Sequence, residues 1–162
     1  VHDFRVFLNW LFKNEAPAVG VTGISMGGYA SALLACADDR LAFSIPIVPP
    51  ANLVDMVFEW PVLGHLIKAS LKTVGIPIQE ARHTLAVNSP LTWKPLLAKE
   101  RLMLIGGLDD RITFAKHTKL LWEHWDRPRI HWFAGGHILH WGKSEYLKEM
   151  RRFLDGIGFK PS

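Results

Sequence analysis

Apolar residues along the chain follow two alternating patterns. Short runs rich in Val, Ile, Leu and Met predict buried strands at 19–24, 41–48, 101–106 and 129–133. Segments with apolar residues at every third or fourth position predict helices at 2–15, 27–37, 113–125 and 145–155. Because continuous apolar strands alternate with helices, we expect an α/β fold with a mostly parallel sheet flanked by helices.

The stretch 51–87 departs from this alternation. Its apolar residues lie in broken helical patterns, interrupted by Pro61, Gly64, Gly75 and Pro77. We expect two or three short helices here, inserted as a cap or lid into a single domain that spans 1–162. Phe58 and Trp60 fall in this segment, and simple packing on the domain is the alternative to a lid role.

Composition narrows the class of protein. The chain has 162 residues, 49% of them hydrophobic and 21% charged, which suits one globular domain with a core. The net charge of +4 is mild and the basic residues are scattered, so we expect no nucleic-acid partner. No signal peptide or membrane-spanning run is visible. We therefore expect a cytoplasmic protein with no integral membrane segment, unless a signal precedes residue 1.

Neither a disulfide nor a metal site is expected. Cys36 is the sole cysteine and lies in an apolar helical stretch, where it is most simply a small buried residue. His137 and His140 are three residues apart, but no carboxylate or cysteine close in sequence completes a ligand set. We predict no metal and no organic cofactor.

The sequence Gly23-Ile24-Ser25-Met26-Gly27 joins a predicted strand to a predicted helix. Gly-x-Ser-x-Gly in this place is the pattern of a nucleophile elbow, where a strained turn holds the serine hydroxyl clear of the sheet. Glycines on both sides would let strand and helix approach closely. Ser25 is the candidate nucleophile and the Met26 backbone N–H a candidate oxyanion donor. The alternative is an ordinary serine in a glycine-rich turn.

A serine nucleophile needs a base, and the base needs an orienting acid. Asp110 and His137 each follow a predicted strand, as Ser25 does. Carboxyl ends of parallel strands share one edge of the sheet, so these three side chains are expected to meet. Their order, serine then acid then histidine, is the one expected after a nucleophile elbow.

Both partners of the serine have alternatives. Asp109 is the main alternative to Asp110, and Asp55, after the second strand, is a more distant one. His140 is the alternative to His137. A helix-capping acid and a structural loop histidine are the non-catalytic interpretations.

These motifs resemble those of the α/β-hydrolase superfamily. The resemblance is carried by residues 23–28, 88–91, 107–112 and 135–137. The four predicted strands resemble strands five to eight of the eight-stranded family sheet, so the chain resembles the C-terminal part of the fold. In the family, an Asp followed by a basic or small residue and then Ile or Val usually marks the acid, which favours Asp110.

The resemblance implies a serine hydrolase that cleaves an ester, thioester or amide through an acyl-enzyme. We expect a small-molecule acyl substrate and carboxylesterase-like activity; a peptidase or an acyltransferase would use the same triad. Tyr29, Phe58 and Trp60 are the candidate substrate-binding residues, with core packing as the alternative for each.

The chain departs from the family in one respect. The first four family strands, and the loop that gives the second oxyanion donor, have no counterpart before Ser25. We therefore expect a truncated fold whose first strand is an exposed edge. Residues 1–162 alone should then be weakly active or inactive, and a homo-oligomer could complete the edge. The alternative function is a non-catalytic binding or assembly module.

Overall fold

The computed structural model describes residues 1–141 and 143–159. Four strands form one parallel sheet in the order β1 (Val21–Ile24), β2 (Ser44–Ile47), β3 (Met103–Gly107) and β4 (Arg129–Phe133). The α-helices in this part of the chain are α1 (His2–Lys13), α2 (Met26–Ala37), α3 (Leu53–Glu59), α4 (Pro61–Thr73), α5 (Ile78–Leu85), α6 (Ala115–His124) and α7 (Lys143–Gly156). The predicted α/β class, with a parallel sheet flanked by helices, is confirmed.

Helices cover both faces of the sheet. Leu104 of β3 packs with Leu8 of α1, Ala32 of α2 and Leu121 of α6. The next strand residue belongs to the opposite face, because side chains alternate along a strand. There Ile105 lies in a second cluster, which includes Phe43, Phe133, Tyr146 and Phe153. The central strands β2 and β3 are therefore buried between a layer of three helices and α7.

Close contact between β1, α2 and β2 depends on two glycines. A Cβ at Gly23 would lie 2.5 Å from the backbone carbonyl carbon of Gly27, and one at Gly28 would lie 2.6 Å from the Ile47 carbonyl oxygen. A Cβ at Gly27 would meet no atom within 4 Å. The steric reason predicted for Gly23 is thus confirmed, whereas the same reason predicted for Gly27 is wrong.

The segment from Leu53 to Asn88 lies between β2 and β3 and is here called the insertion. It contains three α-helices, α3 to α5, followed by a 3-10 turn at Ala86–Asn88, so the prediction of two or three short helices is confirmed, and its role as a lid stays a prediction. The Asn52 side chain caps α3 by accepting the N–H groups of Val54 and Asp55 at 2.9 and 3.2 Å. Gly64 lets α4 pack on the end of α3, since a Cβ there would lie 2.4 Å from the Phe58 carbonyl oxygen.

Strand β1 forms one edge of the sheet. It bonds to β2 through its own residues and through Ser25, whose N–H donates to the Ile47 carbonyl at 2.9 Å. Ile24 at this edge is 47% exposed. In α1, Leu8 is buried as its spacing predicts, but Phe4 and Phe7 are 49% and 54% exposed. This end of the molecule therefore presents apolar surface to solvent.

Asp38, just after α2, connects three parts of the chain. Its buried carboxylate accepts hydrogen bonds from Arg40 at 2.6 and 2.8 Å and from Arg5 of α1 at 3.2 Å. The Arg40 guanidinium, assisted by Arg5, lowers the pKa of Asp38 to about 2. The carboxylate thus fixes α1 to the turn that leads into β2.

None of the helices in the described residues is long and apolar enough to span a membrane.

Candidate active site

Ser25 occupies the sharp turn between β1 and α2. Its backbone has φ 57° and ψ −115°, a conformation that non-glycine residues rarely adopt. The turn is held by hydrogen bonds on both sides, because the Ser25 N–H donates to Ile47 and the Tyr29 N–H donates to the Ser25 carbonyl at 2.8 Å. The serine hydroxyl therefore lies at the carboxyl end of β1, in the strained turn that the motif predicts.

Asp110 lies in the loop after β3 and is 3% exposed. Its Oδ1 accepts the backbone N–H groups of Ile112 and Thr113, each at 2.8 Å. A buried carboxylate needs such donors to replace water. The helix predicted at 113–125 begins later, at Ala115, and the Thr113 N–H holds Asp110 instead of starting the helix.

His137 lies in the loop after β4 and joins the other two residues. Its Nδ1 donates to Asp110 Oδ2 at 2.7 Å, and its Nε2 lies 2.8 Å from Ser25 Oγ. Only 13% of the His137 side chain is exposed. The structure therefore brings Ser25, His137 and Asp110 into one hydrogen-bonded chain, drawn from loops at the carboxyl ends of β1, β4 and β3.

The alternative residues lie outside this chain of hydrogen bonds. Asp109 contacts the neighbouring loop through its backbone N–H, which donates to the Gly135 carbonyl at 3.1 Å. Asp55 forms an ion pair with Arg82 at 2.7 Å within the insertion.

His140 supports the loop of His137 instead of replacing it. Its Nε2 donates to the His137 carbonyl at 3.0 Å, and its Nδ1 lies 3.2 Å from the Tyr146 hydroxyl of α7. No feature of the sequence indicates this role, since a histidine three residues from a candidate base is equally consistent with an alternative base.

The residues predicted around the nucleophile occupy different environments. Met26 is the first residue of α2, where backbone N–H groups have no partner within the helix, and its side chain is 52% exposed. Tyr29 is 8% exposed, and its hydroxyl donates to the Asn88 carbonyl. Burial raises the pKa of Tyr29.

Phe58 and Trp60 form hydrogen bonds with two different parts of the chain. Phe58 is buried beside Lys68 of α4, whose Nζ donates to the Phe58 carbonyl at 2.9 Å. The Trp60 indole N–H donates to the Ile112 carbonyl in the Asp110 loop at 3.1 Å. Substrate binding by Tyr29, Phe58 and Trp60 stays a prediction.

An open cleft of about 490 Å³ adjoins His137. Its apolar walls include Ile112, Ile138, Leu139 and Trp141, and Arg111 lies at its border. Ile138 and Trp141 are 83% and 66% exposed. Ile138 and Leu139 are not predicted as wall residues, although two consecutive aliphatic residues directly after a candidate base in a loop are an available signal.

Cys36 lies in the last turn of α2. Burial raises the pKa of the Cys36 thiol to about 12, so the reactive thiolate is scarce near neutral pH. In the described residues, no group of three or more His, Cys, Asp or Glu side chains is placed to hold a metal ion.

Strands, turn and hydrogen-bonded loops together define the class: this chain has the α/β-hydrolase fold. Residues 1–62 match the family model described as "Alpha/beta hydrolase domain containing 18". The resemblance inferred from the sequence motifs is thereby confirmed.

The chain is also similar to curated proteins of Mycobacterium tuberculosis. Proteins from two strains of that organism, both described as uncharacterized, are 31% identical to it over 146 residues. The match covers 85% of this chain and 32% of theirs, so the chain spans about a third of the length of these relatives.

Solved structures resemble the chain in fold. A puromycin hydrolase variant superposes with a TM-score of 0.67 at 16% identity, covering 96% of this chain and 24% of that one. A Pyrococcus horikoshii acylaminoacyl peptidase gives 0.60 at 17% identity, covering 94% and 25%. A Pyrococcus furiosus esterase gives 0.61 at 15% identity, covering 95% and 60%. The chain thus spans only part of each of these structures.

Proposed function

We propose that this protein is a serine hydrolase that cleaves a carboxylic ester through an acyl-enzyme. The observation that supports the proposal is the hydrogen-bonded chain from Ser25 Oγ to His137 Nε2 at 2.8 Å and from His137 Nδ1 to Asp110 Oδ2 at 2.7 Å. Ser25 is the nucleophile, His137 the general base and then acid, and Asp110 the orienting acid.

The reaction proceeds by two acyl transfers. Ser25 Oγ attacks the carbonyl carbon while His137 Nε2 takes the hydroxyl proton, and the buried Asp110 carboxylate stabilises the imidazolium. The Met26 N–H donates to the oxyanion of the tetrahedral intermediate. His137 then protonates the leaving alcohol as the C–O bond breaks. Water repeats these steps on the acyl-enzyme and releases the acid, without a metal or organic cofactor.

The cleft beside His137 favours a small substrate with an apolar group. Its walls are formed mostly by aliphatic and aromatic side chains, which bind such groups by removing apolar surface from water. We propose that Tyr29, Phe58 and Trp60 contribute to the binding region, with segment 51–87 as a lid. Carboxylesterase activity makes the smallest demand on such a pocket, and the similar folds named as peptidases and hydrolases make amide cleavage the next candidate.

Hydrolysis of p-nitrophenyl butyrate tests the proposal. Ser25→Ala should lower kcat/KM by about a thousandfold or more, because the acyl-enzyme has no attachment site. Ser70→Ala on the exposed surface of α4 is the matched control and should retain wild-type turnover. Turnover that persists in purified Ser25→Ala protein would contradict the proposal.

The open edge of the sheet favours a second candidate function, a non-catalytic module that assembles with another copy of the chain. The observation behind it is the exposed apolar surface of α1, where Phe7 and Trp10 stack at 5.8 Å and are 54% and 56% exposed. Sedimentation velocity should then show a dimer that Phe7→Glu dissociates. A monomer at all concentrations would exclude this self-assembly.

The cytoplasmic location stays a prediction.

A further inference from the structure

Trp60 links the helical insertion to the loop that carries Asp110. Its indole N–H donates to the Ile112 carbonyl oxygen at 3.1 Å. That carbonyl belongs to the same peptide group as the Thr113 N–H, which donates to Asp110 Oδ1 at 2.8 Å. The indole, one peptide group and the Asp110 carboxylate therefore form a continuous chain of hydrogen bonds that ends at His137 Nδ1.

Each hydrogen bond in such a chain polarises the next one. A donor on the Ile112 carbonyl makes the Thr113 N–H a stronger donor to Asp110. The effect is largest where water is excluded, and the Asp110 side chain is 0% exposed. The Trp60 N–H thus influences how much negative charge Asp110 Oδ2 presents to His137, and it fixes the peptide that holds the carboxylate.

The backbone of Trp60 is well placed to hold its indole still. Trp60 joins α3 to α4 in an extended conformation, φ −70° and ψ 127°, and the following Pro61 restricts it to that region. Its N–H donates to Val57 at 3.2 Å and its carbonyl accepts from Gly64 at 2.9 Å.

Contacts beside Trp60 fix the same two elements. Glu59 Oε1 lies 2.7 Å from Lys116 Nζ, and Glu59 Oε2 lies 3.2 Å from His117 Nε2, both on α6. The end of α3 is thus attached to the segment on either side of Thr113, so the indole hydrogen bond is one part of a docked surface.

We propose that Trp60 is a positioning residue, which acts through the peptide joining Ile112 and Thr113 to set the hydrogen bond between Asp110 and His137. This inference rests on the proposed function of Asp110 as the orienting acid. It gives the insertion a part in proton transfer as well as in covering the site, because any movement of the α3–α4 corner changes the hydrogen bonding of the acid.

The test is Trp60→Phe, which removes the indole N–H and keeps an aromatic ring. We expect kcat for p-nitrophenyl butyrate to fall about three- to tenfold with KM changed less than about twofold, since the lost bond affects proton transfer more than substrate binding. The His137 Nδ1 proton resonance, assigned with His137→Gln as the reference, should shift. Trp122→Phe is the matched control, because its indole N–H donates to the Pro128 carbonyl at 2.8 Å instead.

A folded Trp60→Phe protein with wild-type kcat and an unshifted His137 resonance would overturn the inference while leaving the proposed function intact. If wild-type protein shows not even weak turnover above that of Ser25→Ala, the proposed function fails for this chain, and the resonance alone decides whether Trp60 positions Asp110. Should Trp60→Phe not fold, 3-benzothienylalanine at position 60 keeps the bicyclic shape and removes only the N–H. The same two outcomes then apply.

Discussion

The two halves of the candidate site differ in how completely they are enclosed. Asp110 and His137 have side chains that are 0% and 13% exposed, and hydrogen bonds from Ile112, Thr113 and His140 hold their loops. The nucleophile half lies at the edge strand β1, where Ile24 and Met26 are 47% and 52% exposed. The groups proposed to transfer the proton are therefore held from several sides, whereas the proposed oxyanion donor lies in a more open region.

Strand position explains the difference between Asp110 and Ser25. His137 follows β4, the other edge strand, and His140 holds its loop. Asp110 follows β3, which has a neighbour on each side, and its loop is covered further by the insertion. Ser25 follows β1, which pairs with β2 and forms the edge of the described sheet. A fold can therefore align three side chains by hydrogen bonds without enclosing the whole candidate site.

The largest expected effect comes from the acid. Asp110→Asn should lower kcat/KM about a thousand- to ten-thousandfold, because a neutral amide cannot stabilise the imidazolium and favours the wrong histidine tautomer. Asp109→Asn should lower kcat/KM by less than about threefold, since Asp109 bonds to the Gly135 carbonyl through its backbone N–H. Steady-state kinetics of both variants decides between the neighbours, and equal losses would contradict the assignment.

The tight strand–helix contact beneath Ser25 gives the next effect. Gly28→Ala should lower the free energy of unfolding by about 2–4 kcal/mol, because the new Cβ would lie 2.6 Å from the backbone oxygen of Ile47. Gly27→Ala has open space and should instead be neutral or stabilising by up to about 1 kcal/mol. Urea denaturation measures both, and a Gly28→Ala variant as stable as wild type would refute the packing argument.

Asp38 tests how firmly α1 is held beside the open edge. Asp38→Asn should lower the free energy of unfolding by about 1 kcal/mol at pH 7, a small value because both arginine partners are well exposed. The pKa of Asp38 is lowered to about 2 when folded, so its stabilising effect is present above the unfolded pKa of about 3.9 and is lost as pH falls toward 2. Urea denaturation should therefore show a difference in stability between the two proteins at pH 7 that largely disappears at pH 2. A difference of the same size at pH 2 would contradict an origin in the ionised Asp38 carboxylate.

His140 gives the smallest effect. His140→Phe should lower kcat about two- to tenfold, because it removes the hydrogen bond to the His137 carbonyl but leaves the proton-transfer groups in place. Kinetics of this variant beside His137→Gln measures the difference, and a loss as large as that of His137→Gln would make His140 the base.

Much of the fold can be predicted from the sequence, because strands and helices each bury a regularly spaced set of apolar residues. Apolar runs predict all four strands, and β4 has the predicted bounds. The observed β1 and β2 begin later than predicted, at Val21 and Ser44. Burial in α1 was less predictable: Phe4 and Phe7 share helical spacing with Leu8, but periodicity says which residues share a face and not whether anything covers it.

The sequence predicts which residues form the candidate site and their order along the chain. It does not predict the hydrogen bonds that hold these residues in place. A loop has no repeating pattern of apolar residues. The residues around Asp110 therefore do not reveal that the Thr113 N–H donates to the Asp110 carboxylate. The contact between Trp60 and Ile112 joins residues 52 positions apart, and no local pattern encodes it. Such long-range hydrogen bonds depend on the packing of the insertion as a whole.

Labelling with a fluorophosphonate probe measures whether Ser25 is an activated nucleophile. The probe reacts with a serine only when a base activates it, so it reports on the chain of Ser25, His137 and Asp110 without knowledge of the substrate. We predict one phosphonate per protein, located at Ser25 by mass spectrometry and absent in Ser25→Ala. A folded protein that stays unlabelled, or that is labelled at a different residue, would show that Ser25 is not activated by His137 and Asp110.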